Sequence, residues 1–376
     1  MNPDPKPFSA LMLGQTPPPW HGQAVATKLL ADHSWPDIEL KFIRMGFSDE
    51  MENVGRFQLR KIEHLFSLIR QARSYLRKHP EAILFYPPAS ANWVPFLRDV
   101  IFLLCVRPLA AGTVFIFHAS GLADFVQGGS IRRLLGRIAY QLPEVSLEVA
   151  QEEISPHQVF GAKDWQWCPC GIQVPEWKPK DPAETSVLKC LFVGSLQEGK
   201  GVLEILKTAK ELKQRGLEDQ FRFQIVGRWF SDEFREQATK LREALGVETM
   251  VELIGELTGE DKWQAYREAD LFFFPTHYSS EASPIVLMEA LGCGLPILST
   301  QWAGIPAMLN DCPTATLLPI RSPKLYADAL IKFSSENRKD NENASESRRF
   351  YEQHFLPERF IERVSSAIKK ATKTNS

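Results

Sequence analysis

Short apolar runs recur along the chain, separated by stretches whose apolar residues fall at helical spacing. In the first half they are Ala10–Leu13, Ala82–Tyr86 and Thr113–Phe117. In the second they fall at 188–193, 221–226, 250–254, 271–274, 296–299 and 315–319. Continuous apolar strands that alternate with helices predict an α/β fold of parallel sheets covered on both faces. Phe57–Arg77 predicts a long amphipathic helix with Ile62, Leu65, Phe66, Ile69 and Leu76 on one face. Pro169, Pro175, Pro179 and Pro182, among mixed charges, predict an extended linker over 170–186. The divisions that follow are 1–172, 187–350 and a closing segment 351–376. Ser334–Arg349 is a second polar stretch without apolar periodicity. Pro357–Lys370 then sets Phe360, Val364, Ala367 and Ile368 on one helical face.

At 376 residues, two domains are the default. A net charge of −2 lacks the basic excess of a nucleic-acid binder, so no nucleic-acid partner is expected. Six cysteines are scattered, and Cys168-Pro-Cys170 has no further ligands at metal-site spacing. With no signal peptide ahead of the first strand, a reducing, cytoplasmic setting is expected. The longest apolar stretch, Val94–His118, is interrupted by Arg98, Asp99, Arg107 and Pro108 and falls short of the ~20 residues of a membrane span. Gly128–Leu142 predicts a basic amphipathic helix. Ile131, Leu134, Leu135, Ile138 and Leu142 share one face, with Arg132, Arg133 and Arg137 elsewhere. Such a face more often packs on its own domain's sheet; the other outcome is a peripheral membrane contact through 130–142.

Ligands of a parallel sheet bind beyond the carboxyl ends of its strands, so the chemistry is sought in the loops that follow them. Gly194–Gly201 (GSLQEGKG) follows a strand and opens a helix. Backbone N–H groups there, with Lys200, make an anion site. The segment nearly matches GxxxxGK[ST], but Gly201 stands where the metal-binding hydroxyl belongs, which argues against a P-loop nucleoside triphosphatase. It is not GxGxxG either. The second constellation is Pro275–Gly294 (PTHYSSEASPIVLMEALGCG). Ser283 is expected as N-cap and Pro284 as the first helical residue, with the helix running to about Leu291 and stopped at Gly292. Glu289 sits inside that apolar helix. A buried carboxylate must meet a cation or hydroxyl donors, which leaves a ribose or a core arginine as its partner. Glu281 lies just before the helix, either aimed at a ligand or solvated.

At this point the residues resemble a known family. Glu281-x7-Glu289, the strand ending at Pro275, Gly292-Cys-Gly-Leu-Pro296, Phe192-Val-Gly194 with Lys200-Gly201, and Ile225-Val-Gly227 occur in the order and spacing of the retaining GT-B glycosyltransferases of group 1, also called glycosyltransferase family 4. The first half resembles the family only in layout. The resemblance implies two Rossmann-like domains facing across a cleft, with the closing helix packed back on the first. It implies retaining transfer of a hexose-type sugar from a UDP- or GDP-linked donor to a glycan or lipid-linked acceptor, in cell-surface polysaccharide or glycoconjugate synthesis. No cofactor and no metal are implied, and the chain contains no Asp-x-Asp pair. A cytoplasmic location, peripheral at the inner face of the membrane, fits such an acceptor.

Carried over by position, Glu289 would hold the ribose hydroxyls and Glu281 the donor sugar. Ala282 and the amides of Ser283 and Ile285 would lie beside the sugar, whereas Pro284 has no N–H to give. Lys200, with Gly194 and Gly227 around it, would neutralise the leaving diphosphate. His118 would sit near the sugar, Gly22 would let a loop approach the diphosphate, and Leu257 would touch the base. Ser195 departs from the family, which usually has Arg there, and Arg228 is the candidate substitute. Ala282 stands where Gly is common and Ala307 where Glu is. Two other functions would use the same scaffold: nucleotide-sugar epimerisation, and silent binding without turnover.

Overall fold

The computed structural model describes residues 7–18, 22–46, 59–150, 154–176, 187–279, 281–336 and 341–373. The chain divides into two compact units, Met1–Gly171 with Pro357–Ser376, and Ile172–Leu356.

The first unit runs β1 (Phe8–Gly14), α1 (Gly22–Asp32), β2 (Ile38–Arg44), α2 (Leu59–Lys78), β3 (Ile83–Tyr86), α3 (Trp93–Val106), β4 (Gly112–Phe117), α4 (Leu122–Gln127), α5 (Ser130–Tyr140), β5 (Val145–Glu148), α6 (Pro156–Phe160) and β6 (Asp164–Trp167). Its sheet is parallel, in the order β2-β1-β3-β4-β5-β6. The runs expected from apolar content are β1, β3 and β4, each almost wholly buried. Three strands were not expected. β2 and β6 are edge strands with charged or half-exposed positions. β5 is buried but carries Ser146 and Glu148. The Glu148 carboxylate is satisfied by Ser146 Oγ at 2.9 Å and the His157 amide at 2.7 Å.

Several expectations are corrected. Of the face expected on α2, Leu65, Ile69 and Leu76 are buried, but Ile62 and Phe66 are exposed. Phe57 lies outside the described residues. Of the apolar stripe expected on α5, Leu135 is partly buried against the core, but Ile131, Leu134, Ile138 and Leu142 are all exposed. The buried side of that helix is Gly136, Ala139 and Tyr140. A Cβ on Gly136 would lie 2.6 Å from Val126 of α4, so the small residue is what lets the two helices meet. The linker is not solvated at its start. Cys168, Cys170, Ile172 and Val174 are buried, while Pro179 and Pro182 lie outside the described residues.

The second unit runs β7 (Leu188–Val193), α7 (Val202–Gln214), β8 (Phe221–Val226), α8 (Asp232–Leu245), β9 (Val251–Gly255), α9 (Gly259–Glu268), β10 (Leu271–Phe274), α10 (Ile285–Gly292), β11 (Ile297–Thr300), α11 (Ile305–Leu309), β12 (Ala315–Leu318), α12 (Pro323–Glu336) and α13 (Asn341–His354). These six strands match the six apolar runs to within a residue or two. They form a parallel sheet in the order β12-β11-β10-β7-β8-β9. The chain proceeds outward from β7 to β9, then returns to place β10 on the other side of β7. That reversal is a topological switch point, where loops leave adjacent strands in opposite directions and open a crevice at their carboxyl ends. The polar stretch 334–349 is largely helical. α13 buries Ser347, Phe350 and Tyr351 on one face, a pattern diluted in sequence by its many charged neighbours. Tyr351 lies inside this helix, which runs to His354, and the second unit extends to Leu356, so the closing segment begins at Pro357 and not at 351. α14 (Pro357–Lys373) belongs to the first unit, where Phe360, Val364, Ala367 and Ile368 are buried and the helix lies against β1, β3, β4 and β5.

Candidate functional site

The crevice between β7 and β10 is built from two loops held together by glycines. After β7, Gly194 donates to Val226 O at 3.1 Å, and Gly227, after β8, donates to Gly255 O at 2.8 Å. Gly227 sits at φ 155°, and a Cβ there would lie 1.8 Å from Gly194 O. Only a glycine allows this approach. Gly201 opens α7 at φ 97°, where a Cβ would meet Pro275 O at 2.5 Å. Gly199 O accepts from the His277 amide at 2.6 Å, and Thr276 Oγ1 lies 3.2 Å from it. The glycine loop is thus sewn to the segment that follows β10.

That seam brings Lys200 to Glu281, 81 residues on in sequence. Lys200 Nζ lies 2.7 Å from Glu281 Oε2, with the two side chains 14% and 8% exposed. Thr276 Oγ1 donates to the same oxygen at 3.0 Å. The ammonium also lies 4.5 Å from the Tyr278 ring centroid. Glu281 is fixed through its backbone too, its carbonyl accepting from Gly304 N at 2.9 Å. It is therefore not a solvated loop residue.

α10 starts one residue later than expected. Pro284 is its N-cap (φ −63°, ψ 116°) and Ile285 its first residue. The Ser283 hydroxyl faces Met308 Sδ at 3.9 Å and does not cap. Gly292 is the last helical residue, and the left-handed Gly294 (φ 75°) ends the turn. The first N–H groups of any helix lack helical acceptors, so the α10 N-terminus beside Glu281 offers donors and a positive field.

Glu289, on α10, is buried and doubly engaged. Lys262 Nζ donates to Oε1 at 2.7 Å and the Tyr266 hydroxyl to Oε2 at 2.8 Å. The cation that satisfies it is a lysine of α9, not a core arginine. Burial, then the charge of Glu289, pushes the Tyr266 hydroxyl well above its ordinary pKa. An ionised carboxylate offers about four lone-pair sites, so both oxygens retain acceptor capacity. Sequence reasoning missed Lys262 and Tyr266, although their i, i+4 spacing sets both on one face of α9. It also missed Thr276 and Tyr278, whose signal was their place just after a strand.

The remaining residues are placed as follows. Ser195 Oγ accepts from Gln197 Nε2 at 2.9 Å. Arg228 follows Gly227 with its side chain exposed, and its carbonyl accepts from Leu196 N at 2.8 Å, one residue from Ser195. Leu257 is half-buried in the loop after β9, Ala282 is buried, and Ala307 is half-buried in α11. Gly22 opens α1 and His118 follows β4; both belong to the first unit. His118 Nδ1 lies 3.7 Å from Cys170 Sγ. A cavity of about 480 Å³ flanks the glycine loop, lined by Gly199, Gly201, Glu204, Lys207, His277 and Arg321. Burial, then the charge of Arg321, holds the His277 imidazole below its ordinary pKa.

The chain is similar to known proteins. Residues 173–350 match the family Glycosyl transferases group 1. The matched span contains Lys200, Glu281 and Glu289. Among curated proteins, the putative colanic acid biosynthesis glycosyltransferase WcaL of Escherichia coli (strain K12) is 26% identical over 169 residues, covering 44% of this chain and 40% of that one. The D-inositol 3-phosphate glycosyltransferase of Corynebacterium jeikeium (strain K411) is 30% identical over 153 residues, covering 40% of this chain and 36% of that protein. The chain thus spans about two fifths of the length of these curated relatives. Likeness to solved structures runs through nearly the whole chain. Anabaena Alr3699/HepE, solved in complex with UDP, superposes with a TM-score of 0.71 at 13% identity, over 96% of this chain and 99% of that one. The sucrose-phosphate synthase (tll1590) from Thermosynechococcus elongatus gives a TM-score of 0.70 at 14% identity, over 97% and 100%. The fold is GT-B, built of two Rossmann-like domains.

Proposed function

We propose that the chain is a glycosyltransferase that moves a hexose-type sugar from a UDP- or GDP-linked donor to a glycan or lipid-linked acceptor, with retention and without a metal. The buried Lys200–Glu281 pair at the β7–β10 switch point carries this reading. The donor diphosphate lies over the α10 N-terminus and the glycine loop, where backbone N–H groups and Lys200 face it. The Glu281 carboxylate holds Lys200 aimed in the free protein, and accepts from the sugar hydroxyls when donor is bound. Glu289 accepts from the ribose hydroxyls while Lys262 and Tyr266 keep it in place. Arg228, beside Ser195, provides the second cation. In the transfer, the acceptor oxygen bonds to the anomeric carbon as the carbon–phosphate oxygen bond breaks. The departing diphosphate takes the acceptor's proton. The matching family and the UDP seen in Alr3699/HepE support a nucleotide-sugar donor. The names of relatives in colanic acid and amylovoran synthesis support a surface polysaccharide setting.

A thermal-shift panel of UDP-, GDP- and ADP-sugars tests the donor. Binding to the native state at 100 times Kd adds about 2.7 kcal/mol of stability, so one nucleotide class raises the melting temperature. Glu289→Gln weakens that nucleotide's binding in calorimetry. Unchanged affinity removes Glu289 from the ribose site, and no shift with any nucleotide sugar refutes the donor reading.

A further inference from the structure

The cavity beside the glycine loop lies apart from the Lys200–Glu281 pair. In the second sheet β7 to β8 and β10 to β11 step in opposite directions, so right-handed crossovers carry α7 and α10 to opposite faces. Among the described residues the cavity walls come from the glycine loop, the first turns of α7, Phe234 of α8, His277 and the start of α12. Lys200, Glu281 and Glu289 take no part in them. Between the two sites runs the seam that joins Gly199 to His277. Lys200 turns to Glu281 on one side of it, and α7 carries Glu204 and Lys207 to the other. At about 480 Å³ the cavity falls within the ~300–1,000 Å³ of small-molecule sites.

Its lining is balanced in charge. Glu198 and Glu204 stand against Lys207 and Arg321. His277, its pKa lowered by burial and by Arg321, is neutral at pH 7. An ion of either sign would therefore meet repulsion as well as attraction. Two buried polar atoms are left unmet. Glu204, its side chain 5% exposed, takes Lys207 Nζ on Oε1 at 2.8 Å. Its Oε2 has no hydrogen-bond partner among the described residues, and neither has His277 Nδ1. Folded proteins leave few such atoms unmatched, and two in residues that line one cavity point to a ligand. Donors stand close by. α7 has no side-chain cap at Gly201, so its first N–H groups lack acceptors. Arg321 is exposed, on a left-handed backbone (φ 53°).

The missing partner must donate to a carboxylate oxygen and accept from a guanidinium and from backbone N–H groups. It must also meet an imidazole nitrogen in either tautomer. A hydroxyl does all of these, because it both donates and accepts. Phe234, 7% exposed, adds apolar surface for the C–H face of a sugar ring. We propose that this cavity is a second saccharide site, separate from the donor's, that takes a pyranose unit through its hydroxyls. The inference stands on the lining of the cavity and goes beyond the sugar-transfer reading, and its test uses no nucleotide.

The test is saturation-transfer NMR of the full chain with glucose, galactose, N-acetylglucosamine, cellobiose and lactose, and with inorganic phosphate as the anionic control. At least one sugar should bind, and excess phosphate should leave its signal unchanged. Glu204→Gln and Arg321→Gly should each weaken that sugar roughly tenfold or more, as loss of a charge-assisted hydrogen bond does. Glycine suits the left-handed backbone at 321, so Arg321→Gly should melt near the parent's temperature and keeps the test sound if Glu204→Gln folds poorly. Glu281→Gln should leave the affinity unchanged. Hydrogen exchange should slow at the amides of residues 201–207 when the sugar is bound. Tighter binding of the disaccharides assigns the site to a glycan chain, and equal binding assigns it to a single sugar. Absence of binding by every sugar overturns the proposal. So does binding that Glu204→Gln and Arg321→Gly leave unchanged, binding lost in Glu281→Gln, or displacement of the sugar by phosphate.

Discussion

Lys200→Ala probes the ion pair on which the site is built. The substitution removes the ammonium from a carboxylate whose side chain is 8% exposed and leaves Thr276 Oγ1, at 3.0 Å, as its remaining side-chain donor. Removing one member of a buried pair costs about 3–5 kcal/mol, because the other charge stays behind without compensation. Both side chains keep some solvent contact, so the lower end, about 3 kcal/mol, applies here. In a unit of this size 1 kcal/mol corresponds to roughly 2–4 °C. The melting transition of the second unit should therefore fall by about 6–12 °C. The double variant Lys200→Ala/Glu281→Gln removes the stranded charge, so it should be more stable than the sum of the two single changes by about 1–3 kcal/mol. Calorimetric melting of the parent, the two single variants and the double variant gives the coupling. Strict additivity would refute the reasoning, since it would mean that Lys200 and Glu281 do not interact in solution.

Gly227→Ala forces a Cβ to within 1.8 Å of the Gly194 carbonyl at φ 155°, and should yield an unfolded or heavily destabilised second unit by circular dichroism. Tyr266→Phe leaves Glu289 Oε2 without its hydroxyl donor and should cost about 1–3 kcal/mol in urea unfolding. The same tyrosine has a raised pKa in the folded state. Above the unfolded value of about 10 the unfolded chain therefore loses its proton first, and stability should fall as pH rises. His277 runs the other way. Its folded pKa is depressed, so its contribution is present above about pH 6.5 and lost as pH falls below that. His277→Gln should flatten the stability profile on the acid side of neutrality. Cys170, its thiol pushed up to about 12 by burial, should react with a thiol reagent at pH 8 only when the protein is denatured.

The fold was most legible where strands are central. β7, β8, β10 and β11, and β1, β3 and β4, are interior strands, so apolar residues dominate them, while the edge strands β9 and β12 are half-exposed but keep enough apolar residues to be read. β2 and β6 were hidden because an edge position tolerates Glu39, Lys41 and Asp164. The two site segments were legible as a glycine loop and a buried helix after strands. Their union was not, because the Lys200–Glu281 contact depends on β10 returning beside β7, and strand order leaves no mark in the apolar pattern. Glu289 shows the same limit. Its burial could be inferred from Ile285–Leu291, but its partners come from α9. α5 misled for a different reason. Its widest apolar stripe is the obvious core face, yet Gly136 and Ala139 make the closer contact because they are small. Ile131, Leu134, Ile138 and Leu142 are left in solvent.

Acceptor-dependent release of nucleotide from UDP- and GDP-sugars, followed for the parent and for Lys200→Ala, tests the central claim most directly. One transition-state charge donor is typically worth about 2.7–4 kcal/mol, or 10²–10³ in kcat. The account predicts release that requires an acceptor and falls by about that factor in Lys200→Ala. Release that Lys200→Ala leaves unchanged, or no release with any donor and acceptor, would contradict it.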